Sequence, residues 1–292
     1  MRNTKTLGLV LTSLFTAIIV IMAFTPLGYI PLVVINATII HIPVILGSLF
    51  CGPKQGAFLG FVFGLTSFIK NTIMPSTASA FVFSPVLASS VVGVSGVFRS
   101  AFICFVPRIL VGVVPYFVYV LIKKVLSSEQ KKVWATVLNA VICGLLLFGL
   151  HAFIVRIGAD KVSLPVNWVI SAAAAIAVFV IIEITFLKKN AMVMAFVYAG
   201  LSGAFVNTLL VMGGIFVLYK DAYAEALSID AAAVLGVIGG IISFNGVVEA
   251  IVGAIIVSAV GLVLQQIRPI AESRAADQMN YNRGNRSAGA RL

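Results

Sequence analysis

Between short clusters of lysine and arginine, this chain repeats apolar runs of about 20 residues, the length a helix needs to cross a hydrocarbon layer of roughly 30 Å. Inside lipid every backbone amide and carbonyl must be satisfied within the protein, so runs of this length have a helix as their simplest solution. Of the 292 residues, 61% are hydrophobic and 10% charged, and apolar faces then outnumber any core a soluble domain has to hide them in. The fold class that follows is an all-α integral membrane protein.

Hydropathy places helices near 6–25, 32–51, 55–70, 99–122, 132–155, 166–187, 191–219 and 233–265, eight transmembrane crossings. The third is short, about 22 Å of rise, so it must begin near Pro53 or lean on protein. Residues 80–98 are apolar but broken by Ser84, Pro85, Ser89, Ser90, Gly93, Ser95 and Gly96, which suggests a loop dipping against the bundle. Positive charge tests this topology. With the start inside, fourteen Lys and Arg fall on the inner side and five on the outer, and Arg108 completes the 20. A ninth span at 80–98 would put the four lysines of KKVLSSEQKK outside. Both termini are therefore expected in the cytoplasm and the chain in the cell membrane. Residues 1–271 form the transmembrane domain, and the polar stretch 272–292 is expected to be a disordered cytoplasmic tail.

Composition also excludes function classes. The net charge of +11 is spread as short clusters between apolar runs, which sets topology and does not form a nucleic-acid patch. Cys51, Cys104 and Cys143 lack CxxC spacing and read as small buried hydrophobes. The first apolar run lacks a small-x-small cleavage site and is expected to be retained. There is no GxxxxGK[ST] loop, so the chain has no ATPase motif of its own. HExxH and GxSxG are also missing, and His41 and His151 are the two histidines, which leaves no enzyme reading and no cofactor or metal to expect.

What remains is a set of polar residues at membrane depth. Arg108 lies within FICFVPRILVGVVPYFVYVLI, where a guanidinium costs about 2.5–3.5 kcal/mol unless it faces a protein interior with a partner. Two readings stand open for it: a structural ion pair, or a receptor for an anionic group on a transported solute. Glu183 is close enough to Lys188 to snorkel and pair locally, and His151 reads as a membrane-interface residue. Counted from the inner basic residues at 1.5 Å per residue, His41, Arg108, Asn207, Glu249 and Asn245 rise about 20, 22, 27, 28 and 35 Å. Four helices thus place a polar group in the central or outer half of the membrane. Asn245 and Glu249 are four apart and share a face, with Gly246 between them to allow close approach. Gly203 and Asn207 repeat that spacing, and Gly213–Gly214 allow a bend above. Interhelical hydrogen bonding, worth about 0.6 kcal/mol in membranes, accounts for either asparagine alone. The cluster with Arg108 reads as a solute site.

The run ATIIHIPVILGSLFCGPKQGAFLGFVFGLTSFI (37–69) resembles the second and third helices of the substrate-binding S components of energy-coupling factor (ECF) vitamin transporters. FVPRILVG (105–112) is similar to their fourth helix. GAFVNTLLVMGGIF (203–216) and FNGVVEAIVGAIIV (244–257) resemble the last two. These blocks cover about a quarter of the chain, in the family's order. The family has six helices, so 132–187 looks like an inserted two-helix hairpin; it holds none of the outer polar cluster and is expected to be dispensable for binding. The resemblance implies a six-helix bundle that binds a vitamin-like solute on the outer side. It further implies delivery through an ECF transmembrane coupling protein and two ATPase subunits. The IIHIP, PRIL and NGxxEA blocks are closest to the pantothenate type, and His41, Arg108, Asn207, Asn245 and Glu249 are the expected substrate-binding residues. The family's docking stripe on helix one is AxxxA; here Ser13 and Ala17 stand in those places. The alternative is a self-sufficient secondary transporter coupled to H⁺ through Glu249 and His41, against which no pair of inverted repeats with interrupted helices is visible.

Overall fold

The computed structural model describes residues 4–31, 36–157, 163–188 and 191–267. Helix α1 (Thr4–Phe24) buries Phe15, Ile19 and Ala23, one face at four-residue spacing, and leaves Ser13 and Ala17 exposed on the other. A short turn leads to strands β1 (Tyr29–Pro31) and β2 (Asn36–Thr38), paired antiparallel. Then come α2 (His41–Cys51) and α3 (Pro53–Ile73). The break between them is made by two residues. Gly52 takes φ 101°, a conformation that L side chains rarely adopt, and Pro53 opens α3 where its missing N–H is not needed.

A 3₁₀ turn (Ala78–Phe83) and α4 (Pro85–Val92) follow, then α5 (Ser95–Val125), α6 (Lys131–Ile157), α7 (Leu164–Lys188) and α8 (Ala191–Leu227). The chain ends its described part with α9 (Val234–Ile241), a π turn (Ile242–Gly246) and α10 (Val247–Ile267). Seven helices among the described residues are long and apolar enough to cross a bilayer. The expected crossing at 32–51 is represented by α2, whose 11 residues rise about 16 Å; residues 32–35 lie outside the described part.

The third helix begins at Pro53, the first of the two solutions expected for it, and its 21 residues rise about 31 Å, a full crossing. Two expectations are corrected. Residues 80–98 are not a loop, because Ser84 caps α4 by accepting from the Leu87 N–H at 3.3 Å and α5 already begins at Ser95. The bend in α8 is not at Gly213–Gly214 but at Tyr219, with φ −135° and ψ 15°. There the Tyr219 hydroxyl donates to the Gly96 carbonyl at 2.8 Å and Arg99 donates to the Leu218 carbonyl at 2.7 Å. The tail expected at 272–292 lies outside the described residues.

Close backbone approach sets the packing that matters for the polar residues. Gly56, Gly60 and Gly64 of α3 lie against the backbone of α5 at Gly112, Arg108 and Cys104, the small-xxx-small arrangement that lets membrane helices touch. Ser48 of α2 donates to the Gly112 carbonyl at 2.5 Å. On the other side of the bundle Gly200 of α8 lies against Gly253 of α10.

Candidate functional site

Pro107 has no N–H, so the carbonyl of Ile103 one turn earlier loses its helical donor. The guanidinium of the next residue replaces it: Arg108 Nη1 donates to the Ile103 carbonyl at 2.6 Å. The same group lies 5.4 Å from the Phe63 ring centroid and 5.1 Å from that of Phe83, where the ring faces favour a cation. Arg108 is 6% exposed. A buried charge is thus held by a local carbonyl and two aromatic faces, from α3 and from the turn before α4.

Across the bundle Glu249, 4% exposed, accepts from the backbone N–H of Thr38 and from the hydroxyl of Thr208, each at 2.8 Å. These contacts join β2, α8 and α10 at one carboxylate. The Arg108 charge reaches Glu249 electrostatically, but both Glu249 oxygens are engaged by the threonines. Asn245 lies one turn before Glu249, inside the π turn. Such turns insert a residue into the helical ladder and are frequent at functional sites. Asn245 and Asn207 are both buried, and the Oδ1 of each meets no hydrogen-bond donor among the described residues. A buried amide oxygen without a donor costs about 1–3 kcal/mol, so these two atoms mark where a polar group from elsewhere would be welcomed.

His41 is fully buried at the first residue of α2. Its Nε2 is 3.3 Å from where a Cβ on Gly253 would stand, one turn beyond Glu249 on α10. Asn245, Glu249 and Gly253 therefore present successive turns of one face to Asn207–Thr208 and His41. All five expected binding residues are buried. Glu249 is in direct contact with the residue next to Asn207, His41 sits one turn away along α10, and Arg108 approaches through its charge. Ser13 and Ala17 are apart from them, on the exposed face of α1. Among the described residues no three His, Cys, Asp or Glu side chains gather into a metal cage.

Residues 7–261 match the family described as "ECF transporter, substrate-specific component". The chain belongs to this family. It is a substrate-binding transport subunit and not an enzyme. Among its relatives, the pantothenic acid transporter PanT of Lactococcus lactis subsp. cremoris (strain MG1363) is 38% identical over 151 residues, 49% of this chain and 72% of that protein. The pantothenate transporter PanT of Leuconostoc mesenteroides subsp. mesenteroides is 34% identical over 119 residues, 39% of this chain and 51% of that protein. This chain thus spans about half the length of the second relative.

Sequence reasoning on this ECF component missed Thr38 and Thr208, the partners of Glu249. Threonine is an ordinary helix residue that returns its hydroxyl to the carbonyl four residues back, as Thr12, Thr16 and Thr72 do here. The signal available for Thr208 was its place beside Asn207; for Thr38, a backbone donor, there was none. Glu183 was expected to pair toward Lys188, whose side chain lies outside the described part; it accepts from the Thr136 hydroxyl at 2.6 Å and the Asn139 amide at 3.0 Å, which ties α7 to α6. His151 stacks on Trp168 at 3.7 Å. Of the cysteines, Cys104 and Cys143 are buried and Cys51 is half-buried.

Proposed function

We propose that this subunit captures pantothenate, or a vitamin of closely similar chemistry, from the outer side of the cell membrane. The observation that carries the reading is the pair of buried asparagine oxygens, on Asn207 and Asn245, that lie beside the Glu249–Thr208 contact. Pantothenate offers a carboxylate, hydroxyls and an amide. A carboxylate suits Arg108 through charge-assisted hydrogen bonds, an amide N–H or hydroxyl suits the two Oδ1 atoms, and a hydroxyl suits Glu249 in place of a threonine. His41 closes the lower side of the same space. The relatives named for pantothenate support the choice of solute.

In this reading the chain crosses the membrane eight times, with α2 and the strands before it as the second crossing. A six-helix core carries the site, α6–α7 is a hairpin inserted into it, and both termini are cytoplasmic. The solute is handed to an ECF transmembrane coupling protein, which docks on the exposed face of α1 at Ser13 and Ala17 and is driven by two ATPase subunits. Small side chains there let a partner backbone come close. Calorimetry of the purified chain with pantothenate tests the solute, together with mass spectrometry of small molecules that co-purify. A co-purified compound with no anionic group would sink the role given to Arg108. For docking, Ala17→Trp should abolish uptake in cells while binding to the isolated chain stays intact; equal loss of both would count against it.

A further inference from the structure

The π turn that carries Asn245 is braced from behind by the hairpin. Gly149 of α6 faces the turn so closely that a Cβ there would run into the Val247 side chain and come within 3.2 Å of the Ser243 carbonyl. Ser243 and Val247, four apart, both face Gly149, and Asn245 lies midway between them in the turn. The residue after Asn245, Gly246, meets Thr208 of α8, where a Cβ would be 3.4 Å from Cγ2. The turn is therefore packed by α6 at Ser243 and by α8 at Gly246.

The α6 side of this packing is stiff because the hairpin is held at both ends. Near the inner end Glu183 accepts from Thr136 and Asn139, and the Asn139 amide also donates to the Phe179 carbonyl at 3.1 Å. Near the outer end the Asn167 amide donates to the His151 carbonyl at 3.3 Å while His151 stacks on Trp168. A π turn departs from the i→i+4 ladder of the helix around it, so the contacts on either side of it bear on where Asn245 sits. An amide oxygen must be held within about 0.5 Å to serve a ligand well.

We propose that the α6–α7 hairpin is part of the binding machinery, with Gly149 as a positioning residue that sets where Asn245 presents its amide. This rests on Asn245 belonging to the solute site, and it replaces the expectation that the hairpin is dispensable.

The test uses the full chain in nanodiscs with pantothenate as the probe. Gly149→Ala should raise the Kd about tenfold, and adding Val247→Ala, which removes the branched side chain the new methyl meets, should bring it back to within about threefold. Asn245→Ala should weaken binding alone and add nothing on top of Gly149→Ala. If Asn245→Ala binds as wild type, the site reading fails. If Asn245→Ala weakens binding and folded Gly149→Ala does not, this proposal fails and the site reading stands. Should Gly149→Ala not fold, Val247→Ala alone loosens the same contact without crowding, and wild-type affinity in it overturns the proposal. Asparagine-labelled ¹⁵N spectra give a readout that needs no pantothenate: Gly149→Ala should move the Asn245 side-chain amide signal and leave that of Asn71 on α3 in place. An unmoved Asn245 signal overturns it too.

Discussion

The α6–α7 hairpin and the α8–α10 pair each bury asparagines beside a glutamate. In the hairpin Glu183 accepts from Thr136 and Asn139, Asn139 donates onward to Phe179, and Ser171 donates to the Asn167 oxygen at 3.3 Å. In the α8–α10 pair Glu249 is engaged by Thr38 and Thr208, but the oxygens of Asn207 and Asn245 meet no donor among the described residues. The hairpin's asparagine oxygens do find donors, since Cys143 also points to that of Asn139 at 3.7 Å; its orphan is a ring nitrogen of His151, on a side chain already stacked on Trp168. Where polar groups satisfy one another they join helices. Where some are left over beside a carboxylate, the proposed function gives them to a solute.

The sharpest way to break this comparison is at Arg108. Arg108→Ala should reduce pantothenate binding about 100-fold, since a desolvated hydrogen bond to a charged group is worth about 1.5–3 kcal/mol and the Ile103 carbonyl loses its donor as well. Arg108→Lys keeps the charge without the planar fork and should weaken binding about tenfold or more. Calorimetry on the purified variants measures both, and wild-type affinity in either would return Arg108 to a purely structural role. Next in size is Glu249→Gln, which leaves two buried donors facing a neutral amide. Binding should fall about tenfold and thermal stability should fall with it, by about 1–3 kcal/mol, because this residue belongs to both sides of the comparison. The mildest pair is the most diagnostic. Asn245→Ala should cost roughly five- to tenfold in Kd with little change in melting temperature, whereas Asn139→Ala should cost about 1 kcal/mol of stability and leave Kd unchanged. If both asparagines shift stability alone, the distinction between satisfied and unsatisfied amides has no functional meaning here.

Much of the site was legible from the chain. Arg108 stood out because a guanidinium at membrane depth needs a protein environment, and Asn245 with Glu249 stood out because four-residue spacing puts them on one face. The partners of that face were not legible. Thr38 and Glu249 are separated by 211 positions, and a backbone N–H carries no mark in the sequence of where it will point. Nor was the hairpin's contact with the π turn, since Gly149 is one of 25 glycines and its consequence depends on what stands opposite.

By itself the sequence determined that this is a bundle of membrane helices and which residues lie deep in it. Those features follow from local rules: lipid offers no hydrogen bonds, so each crossing must satisfy its own backbone within consecutive residues. Only the tertiary structure decided that α2 is an 11-residue helix set off by Gly52 and preceded by paired strands. It also decided that Arg108 replaces the donor Pro107 lacks, and that the Asn245 turn is held between α6 and α8. These outcomes depend on which backbones approach, at Gly60, Gly149 and Gly253, and close packing between distant segments is a property of the assembled bundle rather than of any stretch of chain.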